Sequence, residues 1–266
     1  MSPRFRTPAI HSAFVSLLAF AAALAASILA VSLAHAQAPD AARTSDPAQD
    51  AREESADSAP SAPSVSETWH VSTYVSGPMG FRVIDYWSKG PWMRANTLVS
   101  GHPLTTIVHG DRYVVFDAIR GEGLSIRRSP RALAEDATRG RPFGNDLAEL
   151  VAQGGEKVED LRFRGEDATV WRLTSDATRR TVWVRRRKED LPIRVEIFER
   201  ARAQTVTIDY ANWIRGIEIA ENFFEAPAQV SLRSLDYEAY VESVQSGDAG
   251  PFPVLYPDLL HGGKVR

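Results

Sequence analysis

None of the 266 residues is a cysteine. No disulfide can brace this chain, so its core alone must hold the fold, and no thiolate is available as nucleophile or metal ligand. A lipid-modified cysteine, the usual bacterial membrane tether, is excluded as well. Histidine is scarce: beyond the first 36 residues there are only His70, His102, His109 and His261. None stands at H-x-x-x-H or H-E-x-x-H spacing, so no metal site is expected. A G-x-S-x-G elbow is also missing, which leaves serine acyl transfer without a local signature. The glycine- and cation-bearing stretches GEGLSIRRS and HGGKVR lack the G-x-x-x-x-G-K-[ST] spacing of a phosphate loop. Neighbouring acids such as Glu159 and Asp160 would point to opposite faces of a strand and cannot share one site. No cofactor is implied, and an enzyme is not expected.

Nor is there an excess of charge of one sign. Setting aside two arginines of the leader, and six acids and two arginines of the following segment, leaves 27 basic and 28 acidic residues of the 31 and 34 present. A near-neutral domain is a poor match for a nucleic-acid partner, whose phosphates call for a net basic surface.

The presence of a leader is the first positive feature. Arg4 and Arg6 precede an uncharged run from Ala13 to Leu33, and Ala34-His35-Ala36 gives the small-x-small pattern of a signal peptidase site. Residues 1–36 are therefore expected to be a cleavable signal peptide, and the mature chain an exported, periplasmic protein. An uncleaved anchor is the alternative, since the run is long enough to cross a bilayer. Residues 37–66 shift to Ala, Ser, Pro and acids. With almost no large apolar side chain to offset ordering entropy, they are expected to form a disordered linker.

Residues 67–266 read as one domain of short strands. In ETWHVSTYV, Trp69, Val71, Thr73 and Val75 share a face, and Gly/Pro pairs punctuate the chain about every ten residues up to the hairpin HGDRYVVFD. Two helices interrupt: one capped by Ser129 with Pro130 at its first position, and one from Asn145 or Asp146 presenting Leu147, Leu150 and Val151. Strands resume through PIRVEIFE and QTVTIDY, whose strict alternation marks an antiparallel sheet buried on one side. LDYEAYVESV suggests a further helix and PFPVLYPDLL an extended Pro-rich tail lying on the domain. The expected class is mostly β (α+β): a curved antiparallel sheet covered on its concave face by short helices. Trp213, Phe223 and Phe224, in DYANWIRGIEIAENFFEAP, are expected to close its last edge.

The ordered series GPWMRANTLVSG, TTIVHGDRYVVFD, RPFGNDLAELVA, VWVRRRKEDLPIRVEIFE and DYANWIRGIEIAENFFEAP, spread over roughly residues 69–232, resembles the periplasmic outer-membrane lipoprotein carrier superfamily (LolA/LolB-like). Those carriers begin with an amphipathic helix, where this chain has its acidic linker. The resemblance implies an unclosed half-barrel whose apolar cavity holds acyl chains of a lipid or lipoprotein. It places Trp92 and Phe143 at cavity wall and lid, and aligns Arg94 with an arginine of an early strand. Phe116 belongs to the same aromatic set, and Leu147 and Leu150 would form the apolar side of the lid helix. Arg128, within Arg127, Arg128, Arg131, Arg139 and Arg141, would grip a head group at the rim. The run Arg185 to Lys188 is a second basic cluster, read as a solvated strand end. Two other readings are a periplasmic partner-binding or envelope-stress regulatory protein of the same fold, whose partner would be an envelope membrane protein, and an envelope lipid hydrolase.

Overall fold

The computed structural model describes residues 67–186, 190–248 and 250–263. The expected signal peptide and linker lie outside them, as do Arg187 and Lys188 of the second basic cluster. Gly/Pro and Gly/Asp punctuation sets the first half as a six-strand meander: β1 (Thr68–Gly77), β2 (Gly80–Lys89), β3 (Trp92–Val99), β4 (His102–His109), β5 (Arg112–Asp117) and β6 (Glu122–Arg127). Two short helices follow, α1 (Pro130–Asp136) and α2 (Asp146–Ala152). The second meander is β7 (Glu156–Phe163), β8 (Glu166–Thr174), β9 (Thr178–Arg185), β10 (Pro192–Glu199) and β11 (Gln204–Arg215). A 3-10 turn (Glu221–Phe224), β12 (Ser231–Leu235), α3 (Tyr237–Ser246) and α4 (Pro257–His261) complete the order.

All twelve strands join one sheet in the order β12-β6-β5-β4-β3-β2-β1-β11-β10-β9-β8-β7. The two meanders meet where β1 pairs with β11, Val75 opposite Ile208 and Thr73 opposite Tyr210. The ends, β12 and β7, do not pair with each other, so the sheet is unclosed. A twisted sheet this wide curls rather than staying flat. Every junction is antiparallel except β12 on β6, which is parallel. The sequence reading did not foresee β12, because SLRSL is too short and too polar to signal a strand.

The two-residue period sorts each strand's side chains onto two faces. One, the inner face, carries Val71, Ile84, Met93, Ala95, Val108, Tyr113, Val115 and Ile126 in the first meander. It continues as Val182, Val184 and Val195 in the second. The outer face of the first meander carries a smaller core of Ile107, Val114, Phe116 and Phe224. β4, β5 and the middle of β6 are thus dry on both faces. Apolar burial on both sides explains the near-continuous burial of HPLTTIVH and RYVVFD, where simple alternation fades.

Inner-face cover comes from two sources. Helix α2 drops Leu147 and Leu150 onto Val182, Val184 and Val195. The first meander is covered instead by Phe143, Tyr240 of α3 and the C-terminal tail, through Phe252, Val254, Tyr256, Leu259 and Leu260. The expected cover of short helices is there, and the tail, expected to lie on the domain, shares the inner face with it. Pro257, at the first helical position, turns the tail's last residues into α4 instead of leaving them extended.

The aromatic stretch near the C-terminal end also divides. Trp213 faces inward, its indole N–H donating to Pro192 O at 2.9 Å. Phe223 and Phe224 cross to the outer face and seal it over Trp87 and Trp92. Closing a single edge, the expected role, is replaced by packing on both faces. Gly216, at φ 74, supplies the turn after β11 that makes the crossing possible.

Candidate functional site

The inner face is the only surface that gathers an apolar lining, a helical lid and polar groups together among the described residues. Its middle, between the α2 cover and the tail cover, is a run of aromatic rings. Tyr256 meets Tyr86 edge-on at 5.8 Å between centroids, and Tyr86 meets Phe143 at 5.2 Å. Phe143 stacks on Trp213 at 6.1 Å, and Trp213 contacts Tyr210 at 5.7 Å and Trp69 at 5.9 Å. Such offset and edge-on pairs stabilise beyond the area they bury.

The loop that delivers Phe143 is held by Arg141. Its guanidinium donates to Phe143 O and Gly144 O at 2.9 and 3.0 Å and lies 5.0 Å from both the Trp69 and Trp213 rings. Gly144 has φ 68, and a Cβ there would come within 2.5 Å of the Trp213 ring. Only glycine lets this loop approach so closely. Helix α2 is docked by Asp146, which accepts from the Tyr210 hydroxyl at 2.8 Å and from Arg180 at 2.9 Å.

Burial governs the hydroxyls of this region. It pushes the Tyr86 phenol up to about 12, and raises Tyr113, Tyr210 and Tyr256 as well. These groups stay neutral at any physiological pH and serve as hydrogen-bond donors or acceptors rather than bases. Among the described residues, no group of three or more His, Asp or Glu side chains is placed to hold a metal ion.

Six of the seven residues singled out from sequence fall into two sets. Phe143, Leu147 and Leu150 come together on the inner face. Trp92, Arg94 and Phe116 lie on the outer face, since Met93 and Ala95 between and beside them point inward. There Trp92 stacks against His109 and Phe224, while Arg94 sits 4.6 Å over the Phe223 ring and donates to Phe223 O at 2.9 Å. One ligand cannot touch both sets through a sheet.

Arg128 lies on the tail side and is 2 % exposed. All five of its N–H groups are engaged within the chain. It holds Asp136 by two bonds, at 2.6 and 2.9 Å, and donates to Leu259 O at 2.7 Å, Gly110 O at 2.8 Å and Ala132 O at 3.5 Å. No donor remains for a head group, so the expected rim contact gives way to a clamp on α4. The other arginines of this cluster are engaged too: Arg131 and Arg139 with Glu135, Arg139 with Asp258, and Arg127 with Asp111 and Asp236. In the second cluster, Arg185 pairs with Glu166. The sequence reading passed over Tyr86 and Tyr113. Their in-phase position with Ile84 and Val115 was the available signal.

No family model and no curated protein matches this chain. Solved structures do. An uncharacterized conserved protein from Thermus thermophilus is similar at 9 % identity and TM-score 0.46, over 64 % of this chain and 92 % of that one. The Pseudomonas aeruginosa MucA/MucB complex is similar at 14 % identity and TM-score 0.41, over 64 % of this chain but only 59 % of the other. A Vibrio parahaemolyticus domain assigned provisionally to outer membrane lipoprotein sorting is similar at 11 % identity and TM-score 0.29, over 61 % and 91 %.

Proposed function

We propose that this chain is an exported, periplasmic binding protein that takes up acyl chains of a lipid or lipoprotein against the inner face of its half-barrel. One observation carries the reading. The inner face of the first meander is covered not by a second sheet but by a loop and a terminal tail, elements that can leave without breaking any strand pairing. An apolar surface under a removable cover can exchange one apolar occupant for another.

Phe143, Leu147 and Leu150 are the ligand-contacting residues in this reading, and Tyr86, on the sheet itself, offers a hydroxyl to the ester or amide where acyl chains join a head group. Capture works by desolvation. Each buried methylene contributes about 0.8 kcal/mol, or roughly fourfold in affinity.

Native mass spectrometry of the protein purified from a bacterial periplasm, with organic extraction of the same sample, tests it. A bound species of discrete lipid mass is the expected result. A clean apo mass, with fatty acids from C10 to C18 binding equally weakly, sinks the proposal.

A second reading is a periplasmic regulator that binds a protein partner. It is favoured by the filled state of the inner face, where the tail leaves Leu259 and Leu260 1 % and 0 % exposed. A lipid-free sample is its expected result.

A further inference from the structure

The tail lies on the inner face much as a bound peptide lies in a groove. From Pro251 to Tyr256 it is irregular and pairs with no strand. Its backbone N–H groups at Leu255 and Tyr256 donate instead to the buried Tyr113 hydroxyl, at 3.2 and 3.3 Å. α4 then presents carbonyls that a helix end leaves without partners. Each finds a donor from the β6–α1 junction: Leu259 O from Arg128 Nε at 2.7 Å, Leu260 O from Ser129 N–H at 3.0 Å, and His261 O from the Ser129 hydroxyl at 2.6 Å.

The contact is close beyond the helix as well. Gly263 N–H donates to Glu135 at 2.7 Å. A Cβ on Gly262 would fall 2.6 Å from Ala132 N, and one on Gly263 would fall 2.3 Å from the Arg131 guanidinium. Phe252, Val254, Tyr256, Leu259 and Leu260 supply the apolar anchors.

Every group that receives the tail's backbone belongs to β5, the β6–α1 junction or α1, more than a hundred residues earlier in the chain. None needs the tail to be attached to the same molecule. At the joint, Gly247, the C-cap of α3, and Gly250, just before the tail, both have φ 83, a region other residues rarely enter.

We infer that this groove accepts the tail in trans, from a second copy of the chain, so that two copies exchange residues 251–263 and form a dimer. A second copy is the occupant the chemistry specifies, because the groove's donors and pockets are already matched to this segment. Reciprocal exchange preserves every tail contact in both copies, and only the joint and the association entropy differ between the closed monomer and the dimer.

The test uses the whole mature chain carrying Leu259→Ser and Leu260→Ser, which weakens its own tail and leaves the groove intact. A fluorescein-labelled peptide of residues 250–263 is titrated by anisotropy, with circular dichroism confirming the fold. The expected result is binding at least about tenfold tighter to this variant than to the unaltered chain, whose attached tail competes at high effective concentration. The same peptide with both leucines replaced by serine should not bind.

In parallel, light scattering on the unaltered chain should show dimer growing with concentration. Mixing tagged and untagged copies should then yield mixed dimers. A folded variant that ignores the peptide up to about 1 mM overturns the inference, and so does a chain that stays monomeric over the same range.

If the variant does not fold, a protease site placed between Gly247 and Gly250 of the unaltered chain replaces it. Labelled peptide should then displace the nicked tail; a nicked tail that never exchanges overturns the inference. Neither readout involves lipid, so failure here is distinguishable from failure of the acyl-binding proposal.

Discussion

Arg128 shows how one side chain can change meaning between sequence and structure. Among five nearby arginines it reads as a cation seeking an anion. In the fold it is a five-point clamp whose carboxylate partner, Asp136, and three carbonyls are all internal. Arg128→Lys keeps the charge but cannot reproduce the fork, leaving Asp136 and several carbonyls short of donors. The expected loss is about 3 kcal/mol, the usual cost of breaking a buried pair, read from urea denaturation. A loss under about 0.5 kcal/mol, the usual range for a surface substitution, would show that the clamp is not needed. Ligand binding separates the two faces at the same scale. Under the acyl-binding proposal, Phe143→Ala lowers the affinity for a long-chain fatty acid by about tenfold, the equivalent of roughly two buried methylenes. Trp92→Ala, on the outer face, leaves that affinity unchanged, and a reversed order would move the site across the sheet.

At the scale of elements, the tail's seat depends on a half-buried histidine. His261 Nδ1 lies 2.9 Å from the Tyr237 hydroxyl, and its ring stacks with Tyr240; both partners come from α3. Charged groups along the same seat are Arg131 and Glu135 of α1, Arg139 just beyond it, and Asp258 of α4. Burial lowers the His261 pKa from the ordinary 6.5. The folded state therefore binds fewer protons than the unfolded one just below that value, and the stability of the docked tail falls as pH drops through about 6.5 toward the depressed folded value. Urea midpoints at pH 7.5 and 5.5 check this, with His261→Gln as the reference that isolates this one ring. The gap between the parent and the variant should shrink on the acid side. A gap that widens would mean the ring is docked as a cation. Helix capping was legible in advance: Ser129 accepts from Ala132 N–H at 3.1 Å, as an N-cap should. That the same hydroxyl also donates to His261 O was not, because the partner lies 132 residues away.

The described domain is one sheet whose inner face is covered along both meanders and whose outer face is covered over the first meander alone. In the acyl-binding proposal the tail and the ligand compete for one surface, so weakening the tail with Leu259→Ser and Leu260→Ser raises fatty-acid affinity while the steep dependence on chain length persists. Calorimetry over a C10–C18 series checks both. If affinity falls in step with tail weakening, the tail is part of the site and not its competitor.

The sequence by itself determined the strand meanders, the three longer helices and the mainly antiparallel sheet. Side-chain alternation and Gly/Pro punctuation are local signals, readable within ten residues. Even the division of Trp92 and Arg94 from Met93 was implicit in that alternation. Only the tertiary structure decided what covers each face. SLRSL became a parallel edge strand, IEIAENFFEAP crossed to seal the outer face, and FPVLYPDLL filled the inner one. Those outcomes depend on which apolar surfaces remain open once the sheet has formed, and contacts a hundred residues apart, non-directional and proportional to buried area, leave no periodic trace in the chain that makes them.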